Sequence, residues 1–295
     1  MSPAAYATVA TSAVERSVSF TAVDFGQIAK FLRWATGIHL TEANERMVYS
    51  RLVHRVRQLG MSDFAPYVAR VLDPASQDER DFVICALTTN TTHFFREQYH
   101  FEFLKAEVLP RLIARARAGD RIRLWSSACS SGEETFSIAL SLIETFPEAP
   151  RYDIKILGSD IDRRVLQIAG SATYSAATLR ALPESLLNLG FEAGPDPSQW
   201  VVKPAIRAMV SFRHLNLIDA WPFRGRFDVI FCRNVAIYME QQTQEQIWRG
   251  FGAVLQPGGH LFIGHSERLP PSMAQQFTLV GKTVYRMTGA KPPSQ

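Results

Sequence analysis

The stretch RIRLWSSACSSGEETFS, residues 121–137, decides the fold that this sequence predicts. It begins with alternating apolar residues, Ile122 and Leu124, which favour a β-strand. A run of small residues follows and ends at Gly132, which is typical of a tight turn. After Glu133 and Glu134, apolar residues recur at helical spacing. The stretch therefore predicts a strand, a turn and a helix in succession.

The turn is a candidate ligand site, because small side chains let a ligand approach the backbone and the first N–H groups of the helix face the same crevice. Dinucleotide-binding enzymes carry G-x-G-x-x-G here, whereas this turn has Gly132 alone, followed by two carboxylates. The two acids disfavour phosphate and favour a ligand with a cationic end, such as the amino group and sulfonium of S-adenosylmethionine. The alternative is an ordinary turn capped by Ser130 or Ser131, with glutamates in the first helical turn.

Composition limits the classes to which the chain can belong. With 295 residues, of which 46% are hydrophobic, it can form one large or two smaller domains. It has no run of about 18 apolar residues and no secretory leader pattern, so we expect a cytoplasmic protein that does not span a membrane. The cysteines, Cys85, Cys129 and Cys232, are far apart and predict buried free thiols. A formal charge of +4 fits an acidic partner without demanding nucleic acid.

The first part of the chain predicts a short extension and a helical domain. Residues 1–22 have no sustained period, and we expect them to form a flexible extension. Helical patterns begin near Phe25, after Thr41, near Asp63 and near Asp78. Residues 23–88 are therefore expected to form an all-helical domain.

The second of these helices is basic. Its apolar residues, among them Val48, Leu52 and Val56, recur at helical spacing, which leaves the arginines on the other faces. These arginines, with no acid between the first and the last, are Arg46, Arg51, Arg55 and Arg57. They indicate either a docking surface for an acidic partner or an ordinary solvated helix face.

Residues 89–105 join the helical domain to the rest of the chain. Their sequence mixes polar residues with aromatic ones around a lone Arg96, and a linker between two domains is well placed to line a ligand cleft. The alternative is a linker whose aromatic residues only anchor it to the core. His93 and His100 lack partners at metal-ligand spacing, so we predict no metal site.

Residues 106–288 predict a doubly wound α/β sheet, because strand patterns alternate with helical patterns. The second strand ends at Asp160, where nucleotide-binding folds hold ribose hydroxyls, and Asp162 is expected to cap the next helix. Short strands at about 175–212 predict an inserted lobe. Residues 289–295 are a short tail.

Another strand of this sheet has polar residues at its carboxyl end. FDVIFC, residues 227–232, is a nearly continuous apolar run suited to the centre of a parallel sheet. Arg233, Asn234 and Tyr238 follow it, and polar groups at that end of a strand face the ligand crevice of an open sheet.

Six ordered motifs make the chain resemble the CheR-type chemotaxis receptor glutamate O-methyltransferases. They are TTNTTHFFRE at 88–97, SSACSSGEE at 126–134, GSDID at 158–162, HLNL at 214–217, FCRNVAIY at 231–238 and LQPGGHLFIGHSE at 255–267. The resemblance implies a class I S-adenosylmethionine-dependent methyltransferase with a Rossmann-like sheet, an N-terminal helical domain and a small inserted β-subdomain. It also implies transfer of a methyl group to receptor glutamates, with S-adenosylhomocysteine as the other product.

The resemblance also implies roles for particular residues. It places Arg96 and Tyr238 beside the transferred methyl group, and it makes the basic second helix the element that engages receptor signalling helices. In some members of the family the β-subdomain binds a pentapeptide at the receptor tail. The residues implied to bind the cofactor are Asn90, Thr92, Arg96, Ala128, Glu133, Asp160, Asn216, Leu217, Arg233 and Asn234.

The chain departs from the family pattern at several positions. Thr135 and Phe136 stand where Pro-Tyr is common, and Ala236 and Met239 replace bulkier residues, which are changes in packing. The usual Arg-Tyr-Phe run is absent around residues 188–191, and this absence argues against binding of a tail peptide by the β-subdomain.

Two other classes of function stay open at this point. A nucleic-acid methyltransferase would share the fold, but the Asn/Asp-Pro-Pro-aromatic signature is absent. A cofactor sensor or scaffold would not need Arg96, Glu133, Asp160 and Tyr238 together.

Overall fold

The computed structural model describes residues 18–288, and the predictions for residues 1–17 and 289–295 lie outside this range. Residues 18–21, which the sequence assigned to the flexible extension, are packed against the helical domain instead. Val18 is buried, and the carbonyl of Ser19 accepts a hydrogen bond of 3.0 Å from the N–H of Phe64. Residues 18–22, the last five of the predicted extension, therefore belong to the helical domain.

The predicted helical domain is present. Thr21 caps its first helix through a capping box with Asp24, and Gly37 ends that helix with a φ of 77°. Val48, Leu52 and Val56 are all buried in the domain core, as the apolar stripe predicted. The helices of this domain are α1 (Ala22–Thr36), α2 (Glu45–Gln58), α3 (Phe64–Leu72) and α4 (Gln77–Leu87).

An extended segment and a further helical stretch lead into the sheet. Residues 88–98 form no regular helix or strand, and the helical stretch begins at Tyr99, within the predicted linker. It comprises α5 (Tyr99–Phe103), a π-helical segment (Leu104–Val108) and α6 (Leu109–Arg117).

The doubly wound sheet is confirmed, and in the described part of the chain it has seven strands. All neighbouring strands are parallel except that one strand, β10, runs antiparallel to both of its neighbours. The strands are β1 (Ile122–Ser126), β2 (Ile154–Asp160), β6 (Val210–His214), β7 (Phe227–Cys232), β8 (Leu255–Ile263), β9 (Phe277–Gly281) and β10 (Val284–Met287). Their spatial order is β6-β2-β1-β7-β8-β10-β9, so the order reverses between β1 and β7, where open sheets bind ligands.

Helices cover the sheet and link its strands. The turn predicted after β1 leads directly into a helix, and Asp162 caps the helix after β2 by accepting from the N–H of Arg164 at 2.8 Å. The longer linking helices are α7 (Glu133–Thr145), α8 (Arg163–Ser171) and α12 (Gln241–Val254).

The inserted lobe is smaller than the sequence predicted. Its antiparallel sheet consists of β3 (Thr173–Ser175), β5 (Gln199–Val202) and β4 (Phe191–Ala193), in that spatial order. Residues 210–212, which the prediction included in the lobe, belong to β6 of the main sheet, because β6 pairs with β2. The short helices of this region are α9 (Ala176–Leu179), α10 (Glu184–Gly190) and α11 (Pro204–Arg207).

Gly132 controls the turn between β1 and α7. Its φ is 97°, and a Cβ atom at this position would lie 2.8 Å from the Tyr174 hydroxyl and 3.0 Å from the Ala169 Cβ. Gly119 has a similar φ of 93°, but a Cβ there would have no neighbour within 4 Å. A comparison of the two positions therefore distinguishes the free-energy cost of backbone strain from that of steric overlap.

Replacement of these glycines by alanine should reveal that difference. Gly119→Ala should lower the free energy of unfolding by about 1 kcal/mol, because alanine is strained at positive φ. Gly132→Ala should cost a further 1–3 kcal/mol, roughly, because side chains must move to admit the methyl group. Urea unfolding of both variants checks this. Equal losses would show that the space around Gly132 is not restrictive.

Candidate active site

A cleft of about 900 Å³, including space open to solvent, lies beside the carboxyl ends of β1, β2 and β7. Thr36 and Ile38 contribute the wall that belongs to the helical domain. The other lining residues are Thr88, Thr89, Asn90, Thr91, Thr92, Arg96, Ala128, Ser130, Glu134, Asp160, Ile161, Asn216, Leu217, Arg233, Asn234, Val235, Tyr238 and Met239.

The cleft brings together the residues that the sequence singled out, with one exception. Arg96 and Tyr238 both line it, and so does every residue of the expected cofactor set except Glu133. The Glu133 carboxylate accepts a hydrogen bond of 2.7 Å from the hydroxyl of Ser131, whereas the neighbouring Glu134 lines the cleft. The assignment of Glu133 to the cofactor stays a prediction.

The loop after β1 is fixed to its neighbours by backbone hydrogen bonds. The N–H of Ser127 donates to Phe231 O at 2.8 Å, and the N–H of Cys129 donates to Ser159 O at 2.9 Å. Ser130 has a φ of 48°, and its hydroxyl donates to Asn90 O at 2.8 Å. The loop therefore holds the linker as well as the floor of the cleft.

Asp160 is buried at the end of β2, and its two carboxylate oxygens are oriented by the backbone. One accepts from the N–H of Ser130 at 2.8 Å, and the other accepts from the N–H of Asp162 at 2.9 Å. Burial raises the pKa of Asp160, while these N–H groups favour the ionised form. Each oxygen keeps a lone pair, so the carboxylate is suited to accept two further hydrogen bonds from a ligand diol.

Arg233 forms the centre of a buried ionic group, which we call the Arg233 cluster: Arg233, Glu97 and Glu134. The Arg233 side chain is 1% exposed and lies 3.2 Å from Glu97 and 3.0 Å from Glu134. It also donates to the carbonyl of Arg96. Burial opposes ionisation of Glu97, but the Arg233 charge and hydrogen bonds from His265 and Tyr99 outweigh it and lower its pKa to about 2. Glu97 is therefore ionised at neutral pH, whereas burial raises the pKa of Glu134 against the opposing effect of the Arg233 charge.

The helical domain closes the cleft at Tyr238. The N–H of His39 donates to Tyr238 O at 2.8 Å, and Ile38 pairs with Met239 in an isolated antiparallel bridge. The amide of Asn216 donates to Ala35 O at 2.8 Å. Because the helical domain is hydrogen-bonded to the Tyr238 backbone and to the Asn216 side chain, Tyr238, which is 41% exposed, is held at the mouth of the cleft.

Comparison with known proteins agrees with this geometry. A family model described as the CheR methyltransferase SAM-binding domain matches residues 90–286, and one described as the CheR methyltransferase all-alpha domain matches residues 23–88. The chain belongs to the CheR methyltransferase family.

Three named relatives of the CheR family are similar over most of this chain. A probable chemotaxis protein methyltransferase of Rhizobium etli is 42% identical over 254 residues, which cover 85% of this chain and 95% of the relative. The chemotaxis protein methyltransferase of Escherichia coli is 40% identical and covers 90% of each chain. Chemotaxis protein methyltransferase 2 of Pseudomonas aeruginosa is 38% identical and covers 90% of this chain and 93% of the relative.

The cofactor of the CheR family fits the residues present. The oriented carboxylate oxygens of Asp160 suit a ligand diol such as that of a ribose, and the methyl group of Ala128 leaves the loop backbone open to the cleft. Arg96, Glu134 and Asp160 supply charges of both signs around one cavity, which suits a ligand that carries an amino group, a carboxylate and a sulfonium. Within residues 18–288, no group of three or more His, Cys, Asp or Glu side chains is placed to bind a metal ion.

The basic helix of the CheR all-alpha domain uses its arginines in two ways. Arg55 forms an ion pair with the buried Glu79, and Arg51 donates to Ala86 O at 3.2 Å and to Thr88 O at 2.9 Å. Arg46 and Arg57 are exposed. The docking role of the four arginines stays a prediction, and two of them, Arg51 and Arg55, hold α4 and the start of the linker.

Sequence reasoning gave no role to Glu267, although this residue organises the segment after β7. One of its oxygens accepts from the N–H groups of Asn234 at 3.0 Å and Gly264 at 2.6 Å. The other accepts from Val235 at 3.1 Å and Ala236 at 2.8 Å. A signal was present, because Glu267 follows the carboxyl end of β8, where polar residues of open sheets meet.

Further features of the described chain bear on the sequence predictions. The three cysteines are buried and free, as expected. No helix in the range 18–288 combines the length and the apolar character needed to cross a bilayer.

Glu267→Gln should destabilise the protein despite its nearly unchanged shape. Whichever way the amide points, its NH₂ group faces two backbone N–H donors, so two hydrogen bonds are lost and two donors are buried unpaired. We expect a loss of about 3 kcal/mol in the free energy of unfolding. Glu245→Gln is the control, because Glu245 forms an outer helix pair with Arg249 and should cost under about 0.5 kcal/mol. Urea unfolding with equal losses for both variants would refute the role of Glu267.

Proposed function

We propose that this protein transfers the methyl group of S-adenosylmethionine to glutamate side chains of chemoreceptors, giving glutamate methyl esters. The observation that carries the proposal is the family match across both domains, together with a cleft between them that presents Arg96 beside a cofactor-type acceptor, Asp160. The named relatives are chemotaxis methyltransferases of similar length. We propose that the protein acts in the cytoplasm, where such receptors expose their signalling helices.

The reaction needs no general base. A glutamate side chain with a pKa near 4.3 is already ionised at neutral pH, so its oxygen is a competent nucleophile. The bound cofactor would supply an electrophilic methyl group on a sulfonium. Asp160 would hold the ribose of the cofactor, and the cofactor's methyl group would pass to the substrate oxygen with the carbon–sulfur electron pair left on sulfur. No proton is transferred, and the protein must orient the carboxylate and exclude water.

Arg96 is suited to orient the substrate carboxylate. Its guanidinium lines the cleft, and one of its nitrogens donates to Thr91 O at 2.9 Å, which leaves other N–H groups for charge-assisted hydrogen bonds. Tyr238 stands at the mouth of the same cleft, where its ring can limit access of water to the reacting atoms. We assign both residues catalytic roles.

The exposed arginines of α2 are proposed to dock the receptor. Arg46 and Arg57 project from the outer surface of the helical domain, and the substrate region carries acidic glutamates by the nature of the reaction. Complementary charge would raise the rate of encounter and fix orientation.

A receptor tail peptide is proposed as a second contact, through the small sheet of β3, β5 and β4. This part of the proposal rests on the family resemblance. Since the usual Arg-Tyr-Phe run is absent, the contact would depend on backbone hydrogen bonds to an edge strand, β3 or β4.

Arg96→Ala and Asp160→Ala should affect different steps. Arg96→Ala should lower kcat by about 100-fold or more while largely preserving cofactor affinity, because it removes the group that aligns the carboxylate. Asp160→Ala should instead weaken affinity for S-adenosylhomocysteine by about 10–100-fold through the loss of charged acceptors. Arg163→Ala, which changes an exposed residue at the start of α8, is the control.

The assay is transfer of labelled methyl groups to receptor-containing membranes, scored as methanol released by mild alkali, with calorimetry for cofactor binding. Near-normal turnover in Arg96→Ala would remove Arg96 from the mechanism. Unchanged affinity in Asp160→Ala would remove Asp160 from the cofactor site. Wild-type protein that binds cofactor but forms no alkali-labile ester would contradict the proposed function.

The docking surface can be tested separately. Arg46→Ala combined with Arg57→Ala should raise the KM for receptor by about 10-fold at low salt and leave cofactor affinity unchanged, because rim charges mainly affect encounter. Arg121→Ala is a control for the loss of one charge, since Arg121 is 81% exposed and precedes the amino end of β1, outside the helical domain. An effect of Arg121→Ala equal to that of either single variant, Arg46→Ala or Arg57→Ala, would indicate that only net charge matters.

A further inference from the structure

We propose that Glu97 is a positioning residue for Arg96: with Arg233, it holds the strained turn from which the Arg96 side chain enters the cleft. The inference rests on the proposed function, because it explains how the proposed catalytic arginine is placed. It gives Glu97 a role that the sequence did not predict.

The turn around Arg96 is strained on both sides. Phe95 has a φ of 54° and Glu97 a φ of 57°, so two residues that carry side chains adopt the left-handed region on either side of Arg96. Such residues favour other backbone conformations, and two left-handed residues so close together persist only where surrounding contacts determine the conformation.

Those contacts are present at each residue of the turn. The N–H of Phe95 donates to the Ser137 hydroxyl at 2.9 Å, and Arg233 donates to the carbonyl of Arg96. The Glu97 carboxylate lies 3.2 Å from an Arg233 nitrogen, so a single guanidinium grips both the turn backbone and the side chain of its last residue.

Glu97 is itself fixed from three further sides. One of its oxygens accepts from the Tyr99 hydroxyl at 3.0 Å, and the other lies 3.0 Å from His265 Nδ1 and 3.3 Å from the amide nitrogen of Asn234. The carboxylate side chain is only 11% exposed. It therefore joins the linker to the loops that follow β7 and β8.

The Arg96 side chain has no comparable support of its own. Its hydrogen bond to Thr91 O is to a residue of the same linker, and no carboxylate in the described range 18–288 lies within ion-pair distance of it. The position of its guanidinium consequently depends on the backbone turn. A loosened turn would misplace Arg96 without removing it.

Glu97→Gln is the informative change. It keeps the shape of the side chain and leaves Arg233 paired with Glu134, so no buried cation loses all its partners. Arg233→Ala would be less informative because it would strand two carboxylates. Tyr99→Phe is a milder second variant, which removes one hydrogen bond to Glu97 and no charge.

A double-mutant cycle tests whether Glu97 acts through Arg96. Glu97→Gln should lower kcat by about 10–100-fold and change the KM for cofactor by less than about 3-fold. In the Arg96→Ala background, the same change should lower kcat by less than about 2-fold, because there is no guanidinium left to position. Tyr99→Phe should show a smaller loss of kcat that also disappears in that background. Glu102→Gln, on the exposed side of α5, is the control.

The proposal would be overturned if Glu97→Gln lowered kcat by the same factor in the wild-type and the Arg96→Ala backgrounds. Glu97 would then act independently of Arg96. A second readout does not depend on the reaction. In protein with labelled arginine, the Nε–Hε resonance of Arg96, assigned by its absence from Arg96→Ala, should show greater mobility in Glu97→Gln and not in Glu102→Gln. An unchanged resonance would refute positioning, even if receptor methylation itself were not observed.

Discussion

The buried Arg233 guanidinium is the constraint on which the rest of the site depends. A cation with a side chain only 1% exposed is stable only if carboxylates and hydrogen-bond acceptors surround it. Glu97 comes from the linker and Glu134 from the first turn of α7, while Arg233 follows the central strand β7. Satisfying one charge therefore fixes the linker, the β1–α7 turn and the end of β7 relative to one another, and these three segments are three walls of the cleft.

The acidic groups in and beside the cleft have two kinds of partner. Glu134 is paired with Arg233, whereas Asp160 and Glu267 are held by backbone N–H groups. Asp160 and Glu267 differ in how much of their acceptor capacity the backbone N–H groups use. Asp160 keeps free lone pairs for a ligand because amides occupy only part of its capacity, but Glu267 uses both oxygens fully in bracing the segment after β7. Some of these carboxylates are thus fully used in structural contacts, whereas one keeps acceptors free for a ligand. The described residues contain no group of side chains placed to bind a metal ion.

The sequence predicted the helical domain, the strand–turn–helix at β1 and the central strand β7, because their apolar periodicity is local and strong. It misplaced β6 and overlooked β9, since edge strands such as β6 are mostly exposed and lack an apolar run. It assigned Glu133 to the cofactor, which stays a prediction, and it left out Glu134, which lines the cleft, because adjacent helical residues point about 100° apart and spacing alone does not give the helix rotation. The contacts of Glu97 and Glu267 with Asn234 span 137 and 33 residues, so local periodicity does not reveal them, although the position of Glu267 after β8 was a signal for that residue.

The arginines of α2 connect the proposed docking surface to the linker that carries the proposed catalytic residue Arg96. Arg55 is paired with Glu79 of α4, and Arg51 donates to the carbonyls of Ala86 and Thr88, at the point where α4 ends and the linker begins. The linker continues from there to Arg96, so the helix proposed to dock the receptor is hydrogen-bonded to the segment proposed to align the substrate. A docking surface on a separate, loosely attached domain would leave the distance between docked receptor and Arg96 undefined. Because Arg51 and Arg55 attach α2 to α4 and to the start of the linker, the proposed docking residues Arg46 and Arg57 lie on an element that is joined to the segment carrying Arg96.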